Sequence, residues 1–359
     1  MVSVQPIHLI QYLSLKRSKT PHNLKCLFYL SWEDALWDLL LKKRVKKCST
    51  ILVPNFYCVD VENNIISHGY KVNHYPVNKD FSVNSKLFKS KIKSVNPAII
   101  VILHSVGITN NLLKNPEWIK ELPPETIVIE DCAHRLVNPQ NIKIIRKNYF
   151  IIDSLRKVVP LQGSRVFGLK EDLNFDTETN LKTLIYSSKV TALWLLMLIF
   201  WNLSQISYST RLSLYFGVIA EKLMLLGYDV IGDSPRAASG SRFFAFLTDH
   251  LNYDKIYKVK DTQAKLYEKN LTPAVQSKNL YNGDSRKELR HYPVILPIKS
   301  AGKILNYLRS RGLIVRFELD DSPWSQKQKV IYLPLGLHIN EKKQLNICNL
   351  VNKSFKNIS

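Results

Sequence analysis

The 359-residue chain carries 51 Lys+Arg against 29 Asp+Glu, a formal net charge of +22, with 45% hydrophobic residues. That length suits two domains or one large α/β unit, and no linker tract, low-complexity stretch or internal repeat interrupts it. A basic field favours anionic partners, but the lysines are scattered apart from LKKRVKK at residues 41 to 47. No zinc-finger spacing, RNP-like strand or heptad-bearing basic region accompanies them, so nucleic acid is not an expected partner.

From residue 31 the pattern alternates. SWEDALWDLLLKK (31 to 43) reads as a helix, with Ser31 as N-cap and Glu33 and Asp34 in its first turn. STILVP (49 to 54) is a short buried strand stopped by proline, VDVENNIISHGY (59 to 70) a helix ending near Gly69, and KVNHYPV (71 to 77) a strand. KLFKSKIKSV (86 to 95) is helical, and PAIIVILHS (97 to 105) is the clearest buried strand. ETIVIED, YFIIDS and RVFGL (165 to 169) follow as further strands. Continuous Ile/Val runs between amphipathic helices predict a three-layer α/β fold with a mostly parallel sheet.

Residues 171 to 245 are less regular and hold the apolar run VTALWLLMLIFW (190 to 201). Twelve residues fall short of the ~18 to 20 that cross a bilayer, so the run is expected to be a buried helix, with membrane contact the disfavoured alternative. From about residue 246 the texture changes. DKIYKVKDTQAKLYEKNL (254 to 271), SAGKILNYLRSRGL (300 to 313) and NEKKQLNICNLVNKSF (340 to 355) read as helices. HYPVILP (291 to 297), IVRFEL (314 to 319) and KVIYLPL (329 to 335) read as strands. The expected division is a large domain at residues 1–245, with an N-terminal extension and a helical insert, and a smaller α+β domain at residues 246–359.

The chemistry-bearing residues collect at strand ends. ETIVIEDCAH (125 to 134) delivers Asp131 and His134, FIIDSLRKVVPLQG (150 to 163) delivers Ser154 and Lys157, and His104 ends the strand before them. In parallel sheets, ligands bind beyond the carboxyl ends of the strands. A buried carboxylate can hold a pyridine nitrogen protonated, and a partly desolvated lysine can form a Schiff base. Together they suggest a pyridoxal phosphate (PLP) site. No GxGxxG or GxxxxGK[ST] follows a strand, which removes support for a dinucleotide or P-loop reading. No metal is expected. The five cysteines, Cys26, Cys48, Cys58, Cys132 and Cys348, form no CxxC pair, and their odd number argues against a disulfide framework. With an N-terminus unlike a secretory signal, a cytoplasmic setting is expected.

Over most of its length the chain resembles the DegT/StrS family of PLP-dependent sugar aminotransferases, a fold-type-I class. SWEDALWDLL is similar to the family's opening phosphate-side helix, and ILVPNFYC to its "deVlvPaf" strand. VILHSVGITNN resembles the strand carrying "vhlyG", and VIEDCAH resembles "viEDaAha". DSLRKVVPLQGS is similar to the lysine loop, with a shorter gap from serine to lysine. HYPVILP and YLPLGLHINEKKQLNICNLV resemble a strand and the closing segment of the family's small domain. The resemblance implies Lys157 as the Schiff-base lysine, Asp131 as the acid paired with the pyridinium, and His134 near the cofactor's phenolic oxygen. It implies Ser154 and Ser31 on the phosphate side, and Phe56, with Tyr57 as alternative, stacked on the ring.

Where the family opens its first helix with small, hydroxyl or arginine residues, this chain reads Ser31-Trp32-Glu33-Asp34. A carboxylate there disfavours a phosphate dianion, so a compensating cation, Arg156 or Arg165, is expected. The implied reaction moves an amino group, by family analogy from glutamate, to a keto-sugar nucleotide of surface-polysaccharide or related sugar biosynthesis, in a homodimer. The alternative is a catalytically degenerate fold-type-I scaffold with a binding or assembly role, possibly at a membrane surface.

Overall fold

The computed structural model describes residues 8–175, 181–207, 210–231, 237–276, 280 and 286–358. In chain order it runs β1 (Leu24–Tyr29), α1 (Trp32–Lys42), β2 (Thr50–Pro54), α2 (Val59–Ser67), β3 (Lys71–Tyr75), α3 (Ser85–Val95), β4 (Ile99–Leu103), α4 (Glu117–Lys120) and β5 (Ile127–Cys132). There follow β6 (Tyr149–Asp153), β7 (Ser164–Leu169), α5 (Leu181–Ile206), α6 (Thr210–Val230), α7 (Arg242–Asp249), α8 (Tyr253–Asn270), β8 (Tyr292–Pro297), α9 (Ile298–Ser310), β9 (Gln328–Leu333) and α10 (Glu341–Ile358). The chain is mixed α/β with a mostly parallel sheet of order β1-β7-β6-β5-β4-β2-β3 and a two-stranded pair β8-β9. It divides into two compact units, Lys47–Leu136 with Tyr253–Ser359, and Ile7–Lys46 with Val137–Asn252.

In the first unit β2 pairs in parallel with β3 and β4, and β4 with β5. Every residue of β4, IIVIL, is buried, as expected of a central strand covered on both faces. α3 is closed at both ends by asparagine. The Asn84 side chain accepts from the N–H groups of Lys86 and Leu87, and Asn96 takes the left-handed conformation at φ 45°. α8 buries Tyr253, Ile256, Tyr257, Lys260, Gln263, Ala264 and Tyr267, a stripe at helical spacing. Its polar members are satisfied. Gln263 Nε2 donates to the Gly336 and Ile339 carbonyls at 3.0 and 2.8 Å, and the Tyr267 hydroxyl donates to the Pro334 carbonyl at 3.1 Å.

In the second unit β7 runs antiparallel to both β1 and β6. β1 has no counterpart in the sequence reading, because its register against β7 is fixed by a partner far along the chain. α1 begins as predicted. The Ser31 side chain accepts from the Asp34 N–H, and Glu33 and Asp34 occupy the first turn.

Two expectations are revised. IVRFEL (314 to 319) forms no strand: Phe317 makes an isolated bridge to Ile331, and Leu319 sits at φ 47°, which an extended strand cannot hold. The apolar run 190–201 is not a short buried helix. It lies within a helix of 26 residues, and one third of its most apolar window is buried. Thr183, Ser187, Val190, Trp194, Met197, Leu198, Trp201 and Ser204 form the buried face, while Leu196 and Ile199 are exposed.

Candidate active site

Asp131 stands at the carboxyl end of β5 and is 3% exposed. Its Oδ1 accepts from the Ala133 N–H at 2.8 Å and its Oδ2 from the Tyr57 hydroxyl at 3.1 Å. Both carboxylate oxygens are thus hydrogen-bonded. Tyr57 comes from the loop after β2, which β4 separates from β5 in the sheet, so the contact is built over the end of β4 by the segments on either side. The adjacent Phe56 is fully buried, with its ring 4.7 Å from Trp324 and 5.1 Å from Phe81. The structure thus brings Tyr57 to the acid and sets Phe56 in an aromatic cluster.

His134 is 2% exposed. Its Nε2 lies 3.1 Å from Glu318 Oε1, and the same oxygen accepts from Arg290 Nη1 at 2.8 Å. Glu318 and Arg290 were not singled out in the sequence. Glu318 lay inside an assumed strand, where it read as one more alternating polar position. His104, at the end of β4, is also fully buried. Its Nδ1 accepts from the Asn110 N–H at 3.2 Å, so its proton sits on Nε2, 2.7 Å from Glu130 Oε1. His104, Glu130 and Cys132 hold ligand atoms within 4.8 Å of one another, but the histidine–carboxylate bond already uses the nitrogen a metal would take.

In the second unit Ser154 follows β6 and is 2% exposed. Its carbonyl accepts from the Lys157 N–H at 3.2 Å, which closes the 3-10 turn Leu155–Lys157. The Leu155 N–H donates to the Gly163 carbonyl at 2.9 Å, tying that turn to the start of β7. Gly163 adopts φ +135°, and a Cβ there would lie 2.3 Å from Phe28 Cζ. The glycine therefore allows the lysine-bearing turn to close against β1.

The two candidate cations separate cleanly. Arg165 is committed: Nε and Nη2 reach Asp153 Oδ2 at 2.9 and 2.6 Å, and Nη2 also donates to the Val137 carbonyl at 2.7 Å. Arg165 is thus not a phosphate ligand, contrary to the sequence expectation, because the fully buried Asp153 consumes its fork. Arg156 is 7% exposed, packs 4.8 Å over the Tyr228 ring, and has no hydrogen-bond partner for Nε or Nη1 among the described residues. A buried guanidinium in that state calls for an anion. Its charge reaches the start of α1, where it is one influence on Asp34. Burial raises the Asp34 carboxyl to about 7 against the opposing bonds from Ser31 and Ala238. Glu33 Oε2 is buried there with no hydrogen-bond partner among the described residues. Ser31 caps α1 through the Asp34 N–H, and its hydroxyl donates to Asp34 Oδ2 at 2.6 Å.

Each unit taken by itself holds groups of the kind PLP uses: the first a buried, hydrogen-bonded carboxylate, the second a lysine on a tight turn and a buried guanidinium.

No protein-family model matches the sequence, and no curated protein matches it. Solved structures do. A DegT/DnrJ/EryC1/StrS aminotransferase from Brucella abortus is 14% identical with TM-score 0.59, covering 93% of this chain and 86% of that one. The aminotransferase TlmJ from Streptoalloteichus hindustanus is 14% identical with TM-score 0.62, covering 93% and 86%. Helicobacter pylori PseC, an aminotransferase involved in the biosynthesis of pseudaminic acid, is 14% identical with TM-score 0.61, covering 99% of both chains. Over nearly its whole length, this chain has the fold of the DegT/DnrJ/EryC1/StrS aminotransferases.

Proposed function

We propose that this chain is a PLP-dependent aminotransferase that transfers an amino group, from glutamate as donor, to a keto-sugar nucleotide. The observation that carries the reading is Asp131: a buried carboxylate at the end of a parallel strand, held by the Tyr57 hydroxyl and the Ala133 N–H. Such a carboxylate suits a cationic partner, and the resemblance of EDCAH to the aminotransferase family supports a protonated pyridine as that partner.

When bound, the cofactor supplies an electron sink for the pair released as the donor loses its α-proton. The chain's residues do the rest. Asp131 holds a proton on the ring nitrogen. The Lys157 amine anchors the cofactor and, once freed, carries the proton as general base and then acid. His134, steered by Glu318, serves the phenolic oxygen. Ser154 and Arg156 serve the phosphate, with Arg156 offsetting Glu33; Ser31 serves it only through its place at the start of α1, because its hydroxyl proton is held by Asp34. Phe56, with Tyr57 as the alternative, stacks beside the ring; Phe56 also packs against Phe81 and Trp324.

In this reading residues 1–245 form the cofactor-binding domain and residues 246–359 the smaller one, in a cytoplasmic homodimer. The resemblance of EDCAH and SLRK to the family supports these assignments, and the acceptor class rests on the same resemblance.

The test is borohydride reduction of the protein saturated with PLP, followed by peptide mapping. A pyridoxyl group on Lys157, absent in Lys157→Ala, supports the proposal. An adduct on another lysine, or none at saturation, overturns it.

A further inference from the structure

We propose that the second unit docks on an anionic lipid bilayer through a face formed by the N-terminal segment, α5 and α7. Ile10, Leu15, Ile199, Ile206, Phe243 and Phe246 are between 54% and 103% exposed, apart from Phe243 at 52%. Exposed apolar groups scattered singly need no explanation, but a contiguous set marks an interaction surface. Hydrogen bonds and a β-bridge join these elements. His8 Nδ1 lies 2.9 Å from Asn202 Oδ1 on α5. Leu13 bridges Leu251, and the Ser14 and Ser18 N–H groups donate to the carbonyls of His250 and Asp249 at the end of α7.

The length of α5 suits a bilayer span, but its packing does not. Its buried face includes Trp194 and Trp201. Ser213 Oγ of α6 donates to the Ser204 carbonyl at 2.8 Å, and Phe200 and Phe216 pack at 6.0 Å between centroids. A helix held along one side by protein presents its other side to a surface and lies in its plane. From Val190 to Ile206 that helix carries no charged residue.

The charge around the face selects the occupant. The segment from His8 to His22 contains Lys16, Arg17 and Lys19 and no acid. Arg211 opens α6 and Arg242 opens α7, and both are exposed. Asp249 of α7 is paired with Arg17 at 2.7 Å, and α6 carries the exposed acids Glu221 and Asp229. Cations flanking exposed phenylalanines and aliphatic side chains match an anionic headgroup layer over acyl chains. This local charge pattern fits an anionic lipid surface.

The experiment is co-sedimentation of the full-length protein with vesicles of equimolar phosphatidylglycerol and phosphatidylcholine, beside pure phosphatidylcholine. Binding is expected to the anionic vesicles, weakened by salt, and at least about tenfold weaker to the neutral ones. Leu15→Ser/Phe243→Ser/Phe246→Ser should lower anionic-vesicle affinity by at least about tenfold with an unchanged far-ultraviolet spectrum. Lys16→Glu/Lys19→Glu should lower it as well, without touching the apolar groups. No binding to anionic vesicles, or equal binding to both kinds, overturns the proposal. So does a triple variant that loses self-association in sedimentation equilibrium while vesicle binding is retained, which would make the face an interface between copies.

Discussion

Replacing Asp153 by alanine should lower the unfolding free energy by about 3–5 kcal/mol, the cost of leaving a buried charge without its partner. The side chains of Asp153 and Arg165 are 0% and 3% exposed. Asp153 accepts three bonds from Arg165: from the backbone N–H at 2.8 Å, from Nε at 2.9 Å and from Nη2 at 2.6 Å. Burial pushes the Asp153 carboxyl up and Arg165 pulls it back. With the carboxylate removed, Arg165 Nη2 keeps its bond to the Val137 carbonyl. An exposed pair would cost only ~0–1 kcal/mol, so the magnitude separates the two cases. The double variant Asp153→Leu/Arg165→Met removes both charges and should be more stable than Asp153→Ala, because no ion is then stranded. Urea unfolding followed by circular dichroism measures both. A single variant within about 1 kcal/mol of wild type, or a double variant no more stable than the single, would refute the reasoning. The pair also borders the turn that bears Lys157, so its loss should loosen that turn before the chain unfolds globally.

Gly163→Ala should destabilise by about 1–3 kcal/mol, since the left-handed backbone and the Phe28 ring both oppose a Cβ; an unchanged melting temperature would show that the turn relaxes freely. Asp34 gives a pH signature. Its folded pKa is raised from 3.8 to about 7, so the folded state holds that proton more tightly than the unfolded chain. This contribution is fully present below about 3.8 and is lost as pH rises through about 7. Urea midpoints measured across that window should fall with rising pH more steeply in wild type than in Asp34→Asn, and parallel profiles would contradict the assignment.

The strand ends of the candidate site were legible because local chemistry writes them: an apolar run stops at Asp131 and another stops before Lys157, and the strand-end rule made both candidates. The Ser31 cap was readable for the same reason: a hydroxyl, two acids in the first turn, then an apolar helical stripe. Other features were not legible, because their partners are distant in sequence. Arg156 and Arg165 looked alike on paper. Only the packing shows that Asp153 takes one fork and leaves the other without a hydrogen-bond partner for Nε and Nη1 among the described residues. Phe56 stood first and Tyr57 as its alternative on paper; only the packing shows that Phe56 meets Trp324 and Phe81 while the likewise buried Tyr57 reaches Asp131 with its hydroxyl.

The sequence by itself determined the alternation of strand and helix, the positions where strands end in acid or hydroxyl, and hence the class of fold. Those properties depend on side-chain periodicity within a few residues. Tertiary structure alone decided that IVRFEL bends at Leu319 and turns Glu318 toward Arg290 and His134. It alone decided which side of α5 is covered. Periodicity shows that a helix is apolar all round, but only the neighbours packed against it decide which apolar face remains in contact with solvent.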